Sequence, residues 1–95
     1  MTTQNTATAA TENASRYLQQ LCKHWSHKCE TEFSPEAGTV VFPENRGTLS
    51  MQASESSLTM TISVPDPTNL AKMQDVVDKH LLRFAFREDL AINWA

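Results

Sequence analysis

Hydrophobic positions recur along this chain with two spacings, and the switch between them marks its elements. Leu70, Met73, Val77, Leu81 and Phe84 follow one another at three and four residues, so at about 100° per residue they form one helical stripe. Val76 widens the stripe, and His80 falls inside it between Val76 and Phe84. Asp66 and Pro67 suit an N-cap and the first helical position, because the carboxylate accepts from free N–H groups and proline has no N–H to leave open. Asn69, Lys72, Asp75 and Lys79 face away, toward solvent. Lys79, Arg83 and Arg87 suit the negative end of the helix dipole. Phe84-Ala85-Phe86 cannot keep both rings on one helical face, so the helix ends near 83–86 or buries Phe86 against another element.

An earlier stripe runs through Ala14, Tyr17, Leu18, Leu21, Cys22 and Trp25, with Thr11 or Asn13 as the cap. It predicts a helix over 14–27. Between the helices the period drops to two. Cys29, Thr31 and Phe33 oppose Lys28, Glu30 and Glu32 over 28–33, and 39–42 is short and apolar. Leu49, Met51 and Ala53 alternate with polar neighbours over 48–53, as do Leu58, Met60, Ile62 and Val64 over 57–64. Turn-forming stretches at 34–38, 43–47 and 54–56 join these runs, which is the pattern of an antiparallel meander. The expected fold is α+β, a two-layer sandwich in the order α-β-β-β-β-α: a four-stranded meander with both helices on its apolar face. Leu90-Ala91-Ile92-Asn93-Trp94 alternates again and adds a short edge strand or crosses the core. Residues 1–12 show no hydrophobic stripe and read as a disordered tail ahead of a single domain over 13–95.

Composition narrows the function classes. The chain has 95 residues, enough for one core. A net charge of −3 argues against a nucleic-acid partner, which requires a basic field. No apolar run approaches the roughly 18 residues of a membrane span. The first residues have neither the basic nor the apolar part of a signal peptide. Cys22 and Cys29 are too few for a disulfide framework, so a reducing, cytoplasmic setting is expected.

Candidate chemistry concentrates at two places. Five of the eight Lys and Arg residues and all three histidines lie within 23–28 and 79–87. If these helix ends meet, His24, His27, Lys28, His80, Arg83 and Arg87 form a basic patch for a carboxylate, catecholate or phosphate. The competing reading is two helices each complementing its own dipole. Cys22, His24, His27 and Cys29 are all metal-binding types, but on a helix Cys22 and His24 point about 160° apart. An iron or zinc site would instead need His24 and His27 with His80 and Glu88. Cys22 reads as a small packed residue, and His80 as a half-buried ring bonded to a carbonyl or carboxylate. An enzyme built on His80 with Cys22 or Glu88 lacks any nucleophile motif. The Ser/Thr-rich sheet face is solvated or forms a dimer surface, leaving monomer and homodimer both open.

His24-Trp25-Ser26-His27-Lys28, the run Val76–Glu88 and the terminal Ile92-Asn93-Trp94 together resemble a small bacterial family classed as a domain of unknown function. Arg83–Glu88 is the most specific part, and the resemblance covers about residues 14–95. Members of that family tend to lie beside siderophore-interacting flavin reductases and other iron-uptake genes. The resemblance therefore implies an accessory role around iron, with a siderophore or a siderophore-interacting reductase as partner. The expectation is a non-enzymatic binding protein, with a protein–protein interaction module as the alternative.

Overall fold

The computed structural model describes residues 3–44 and 46–94. Its elements run β1 (Thr3–Ala10), α1 (Ala14–Trp25), β2 (Glu30–Phe33), β3 (Ala37–Phe42), β4 (Gly47–Ala53), β5 (Ser57–Val64), α2 (Leu70–Phe84) and β6 (Asn93–Trp94). The fold is α+β with an open antiparallel sheet, as expected, but the sheet has six strands rather than four, in the order β2-β3-β4-β5-β1-β6. A strand precedes α1 and another follows α2, so the expected order α-β-β-β-β-α is the inner part of a longer one.

The largest correction falls on the N-terminus. Over the described residues, the expected tail is an eight-residue strand paired along its whole length with β5, from Thr3↔Val64 to Ala10↔Ser57. Its other side pairs with β6 through Ala7↔Trp94 and Thr8↔Asn93. Residues 1 and 2 lie outside the described residues. Ala7 and Ala9 point inward and are fully buried beside Met60 and Leu58, while Thr6 faces outward and hydrogen-bonds Thr61 Oγ1 at 3.1 Å. The strand thus follows the same alternation as its neighbours, with methyl groups in place of larger side chains.

The central strands carry the apolar face that their alternation predicts. Val40 and Phe42, Leu49 and Met51, and Leu58, Met60, Ile62 and Val64 all face one core. Tyr17, Leu18, Leu21, Cys22 and Trp25 of α1 and Met73, Val77 and Leu81 of α2 fill that core from the same side. α1 lies over β2–β5, and α2 over β5 and β1. Gly38 lets α1 sit close to the sheet: a Cβ there would come within 2.9 Å of Cys22 Sγ and 3.1 Å of Leu18 Cδ2.

The helix ends differ slightly from expectation. α1 stops at Trp25 rather than 27, because the Lys28 and Cys29 N–H groups turn back onto the Trp25 carbonyl. Asp66 does act as a cap, accepting from Thr68 N at 3.0 Å, but it opens a 3-10 turn over Pro67–Asn69 that leads into α2. α2 ends at Phe84 and leaves Phe86 74% exposed. Trp94 ties the last strand to the second helix, its Nε1–H donating to Asp78 Oδ1 at 2.9 Å. No helix among the described residues is long and apolar enough to cross a membrane.

Candidate functional site at the helix seam

The two helices run antiparallel. Tyr17, near the start of α1, meets Glu88 beyond the end of α2, while Trp25, at the end of α1, meets His80. The side chains along this seam separate into two groups with different chemistry.

At the C-terminal end of α1 the rings of His24 and His80 lie 5.1 Å apart. Phe84 stands edge-on to His24 at 5.9 Å, and Trp25 lies 5.2 Å from His80 while packing edge-on against Phe42. His80 Nδ1 is 2.7 Å from the Val76 carbonyl oxygen. A carbonyl can only accept, so Nδ1 carries the hydrogen and Nε2 is the atom left to meet a ligand. His80 is half-buried, as its place on the stripe implies, whereas His24 and His27 are exposed. Loss of hydration around His24 lowers its pKa below the usual 6.5, and His80, Arg83, His27 and Lys28 push it further in the same direction. The charged neighbours that act on His24 are thus all cationic. His24, His27, Lys28, His80 and Arg83 lie near one another at this end.

Arg87 does not join them. After α2 ends, the chain carries it toward the start of α1, where its guanidinium lies 5.4 Å from the Phe86 ring centroid. Glu88, the fourth member of the expected metal set, lies at that same end. Its Oε2 accepts from Thr11 Oγ1 at 3.1 Å, from Asn13 Nδ2 at 3.0 Å and from the Tyr17 hydroxyl. These donors favour the charged carboxylate, led by Tyr17, and its pKa falls below 4.5. Burial, with the hydrogen bond and negative charge of Glu88, raises that of Tyr17. Glu88 is therefore committed to structure, two turns of α1 away from His24. Among the described residues, no three His, Cys, Asp or Glu side chains converge as a metal ion would require. Cys22 is fully buried, and loss of hydration pushes its thiol up to about 11, which suits packing rather than nucleophilic attack.

Around the anchored end, Asn13, Arg16, Tyr17, Gln20, Phe84, Phe86, Arg87 and Glu88 line a cleft of about 270 Å³. Arg16 and Gln20 were not singled out by the sequence. They sit one turn apart on the polar side of α1, and only their spacing from Asn13 and His24 hinted at a shared edge.

A family model described as "Uncharacterized protein conserved in bacteria (DUF2218)" matches residues 6–95. Among solved structures, the chain is similar to the NMR structure of PA4090 from Pseudomonas aeruginosa, with 40% identity over 97% of this chain and 94% of that one, and a TM-score of 0.79. No match was found among curated proteins.

Proposed function

The chain belongs to this uncharacterised bacterial family, and from that premise we propose that it is a non-enzymatic binding domain for an anionic, iron-associated ligand of the siderophore class. The observation that carries this reading is the cluster at the end of α1. His24 and His80 lie ring to ring, and Arg83, His27 and Lys28 add positive charge around them. Such a cluster is electrostatically unfavourable by itself and is relieved by an anion. Three features support a binding role over a catalytic one: His80 is held by a backbone carbonyl, Cys22 is packed, and Glu88 is engaged elsewhere.

Calorimetric titration tests the proposal. A strongly anionic ferric tris-catecholate should bind in the micromolar range, more tightly than a near-neutral ferric tris-hydroxamate. The double substitution of His24→Ala and His80→Ala should weaken it about tenfold or more, which corresponds to about 1.4 kcal/mol. Binding no tighter than about millimolar, or roughly −4 kcal/mol, overturns the reading.

A second reading, a protein–protein interaction module, is favoured by β2. This strand ends the sheet, and Phe33 on it is 40% exposed. Light scattering that finds only monomer, with no partner retained from a lysate, removes that alternative.

A further inference from the structure

The cleft at the other end of the seam carries a separate inference; it adjoins the imidazole cluster through Phe84, which also stands edge-on to His24. Arg16 and Arg87 both line it, and neither takes part in the ion pairs between described residues, which are Arg46–Glu44 and Lys79–Asp75. Glu88, the acid among the cleft's lining residues, makes no ion pair with them, and one of its oxygens is already occupied by Thr11, Asn13 and Tyr17. Counting one positive charge for each arginine and one negative for Glu88 leaves the cleft with a net positive charge. Its apolar part is aromatic. Phe84 is half-buried in the seam, and Phe86 is the most exposed large hydrophobic residue described, at 74%, with Arg87 laid over its ring. Exposing a phenyl ring to water is unfavourable, and a guanidinium covers only one side of it.

We propose that this cleft binds a one-ring aromatic carboxylate, its carboxylate held by Arg16 and Arg87 and its ring laid against Phe84 and Phe86. The planar guanidinium fork matches a carboxylate, and an aromatic ring gains from edge or offset contacts with the two phenyl groups. The cleft volume of about 270 Å³ suits a single ring. Gln20 also lines the cleft, so its amide offers hydrogen bonds to a ring substituent.

The probe is sodium benzoate, titrated into isotopically labelled full-length protein while amide resonances are followed. Saturable shifts should appear at residues 13–20 and 84–88. R16Q and R87Q should each weaken binding about tenfold, as expected for loss of a charged hydrogen-bonded contact. F86A should weaken it several-fold, and cyclohexanecarboxylate should bind less tightly than benzoate. H27A, at the other end of the seam and exposed, should bind benzoate as the wild type does. The proposal is overturned by an absence of saturable shifts up to about 20 mM benzoate, a concentration well above a millimolar dissociation constant. It also fails if acetate binds as well as benzoate, or if R16Q and R87Q bind like wild type. Loss of binding in H27A alone would place the ligand at the imidazoles and exclude the cleft.

Discussion

The two ends of the helix seam hold charge in opposite ways. At one end a carboxylate is met by hydroxyl, amide and phenol donors from residues far back in the chain, so Glu88 joins the β1–α1 junction to the segment after α2. At the other end imidazoles and cations face one another, and the hydrogen bond that fixes His80 comes from its own helix. Opposed charges and donors close a structure, whereas like charges left together wait for something else. The anchored end is therefore expected to govern stability, and the imidazole end to govern binding.

The harshest way to break the anchored end is to remove the strand that leads into it. Deleting residues 1–10 takes out β1, uncovers Leu58, Met60, Ile62 and Val64 at the edge of β5, and leaves β6 without a partner. Burial at Ala7 and Ala9 is lost together with the ladder. The expected outcome is a chain without cooperative thermal unfolding and with collapsed amide dispersion. A truncated protein that melts like the full chain would show that β1 is dispensable.

A milder change acts on the anchor itself. Glu88→Ala leaves the Tyr17 hydroxyl and the Thr11 hydroxyl, both on buried residues, without their acceptor. Orphaning buried donors costs about 1–3 kcal/mol, readable as a lower urea midpoint at unchanged slope. Tyr17→Phe removes one donor and leaves the others, and should cost about 1 kcal/mol. The effect depends on pH. Because the folded-state pKa of Glu88 is depressed, its contribution is fully present above 4.5 and is lost as pH falls through the lower folded value. Glu88→Gln should lack that acid-side loss, so the wild-type and variant stability curves should converge below the folded pKa. Parallel curves would mean that the carboxylate charge has no role in the anchor.

These contrasts also explain what the sequence could and could not tell. The stripe through Met73, Val77 and Leu81 and the alternation of Leu58, Met60, Ile62 and Val64 were legible because helix and strand periods are written in near neighbours. The meander was legible because short turns join its strands. β1 was not: its inward residues are alanines, and it pairs with a strand some fifty residues later, so neither a strong apolar signal nor a hairpin turn announces it. Glu88 was hidden for the same reason, since its donors lie 71, 75 and 77 residues earlier. Closeness along the chain places its neighbour Arg87 with His80 and Arg83. The turn after Phe84 sends it instead to Arg16. The meeting of His24 with His80 stays open in the sequence: His24 lies at the edge of one stripe and His80 within the other, but how two helices sit on a sheet is set by contacts far apart along the chain.

The smallest expected effect sharpens the imidazole end. His24 has a folded-state pKa below its ordinary 6.5. Between those two values the unfolded chain binds more protons than the folded one, so stability rises with pH there. Its contribution is therefore complete above 6.5 and declines as pH falls toward the folded value, so the loss begins at a higher pH than the one governed by Glu88. The groups facing His24 are His80 and Arg83 from α2 and His27 and Lys28 from the end of α1. A titration of the His24 ring proton by NMR should give a midpoint below 6.5, and Arg83→Gln should move it upward. An anion seated on the cluster reverses the balance by favouring the protonated ring, so the diamagnetic gallium(III) tris-catecholate, which keeps the charge and shape of the ferric complex without its paramagnetic broadening, should raise the same midpoint. Benzoate in the cleft, which reaches His24 only through the Phe84 ring between them, should move it much less. A His24 midpoint that responds equally to both ligands would mean that the two ends form one site, and the division between a closed end and an open end would fall.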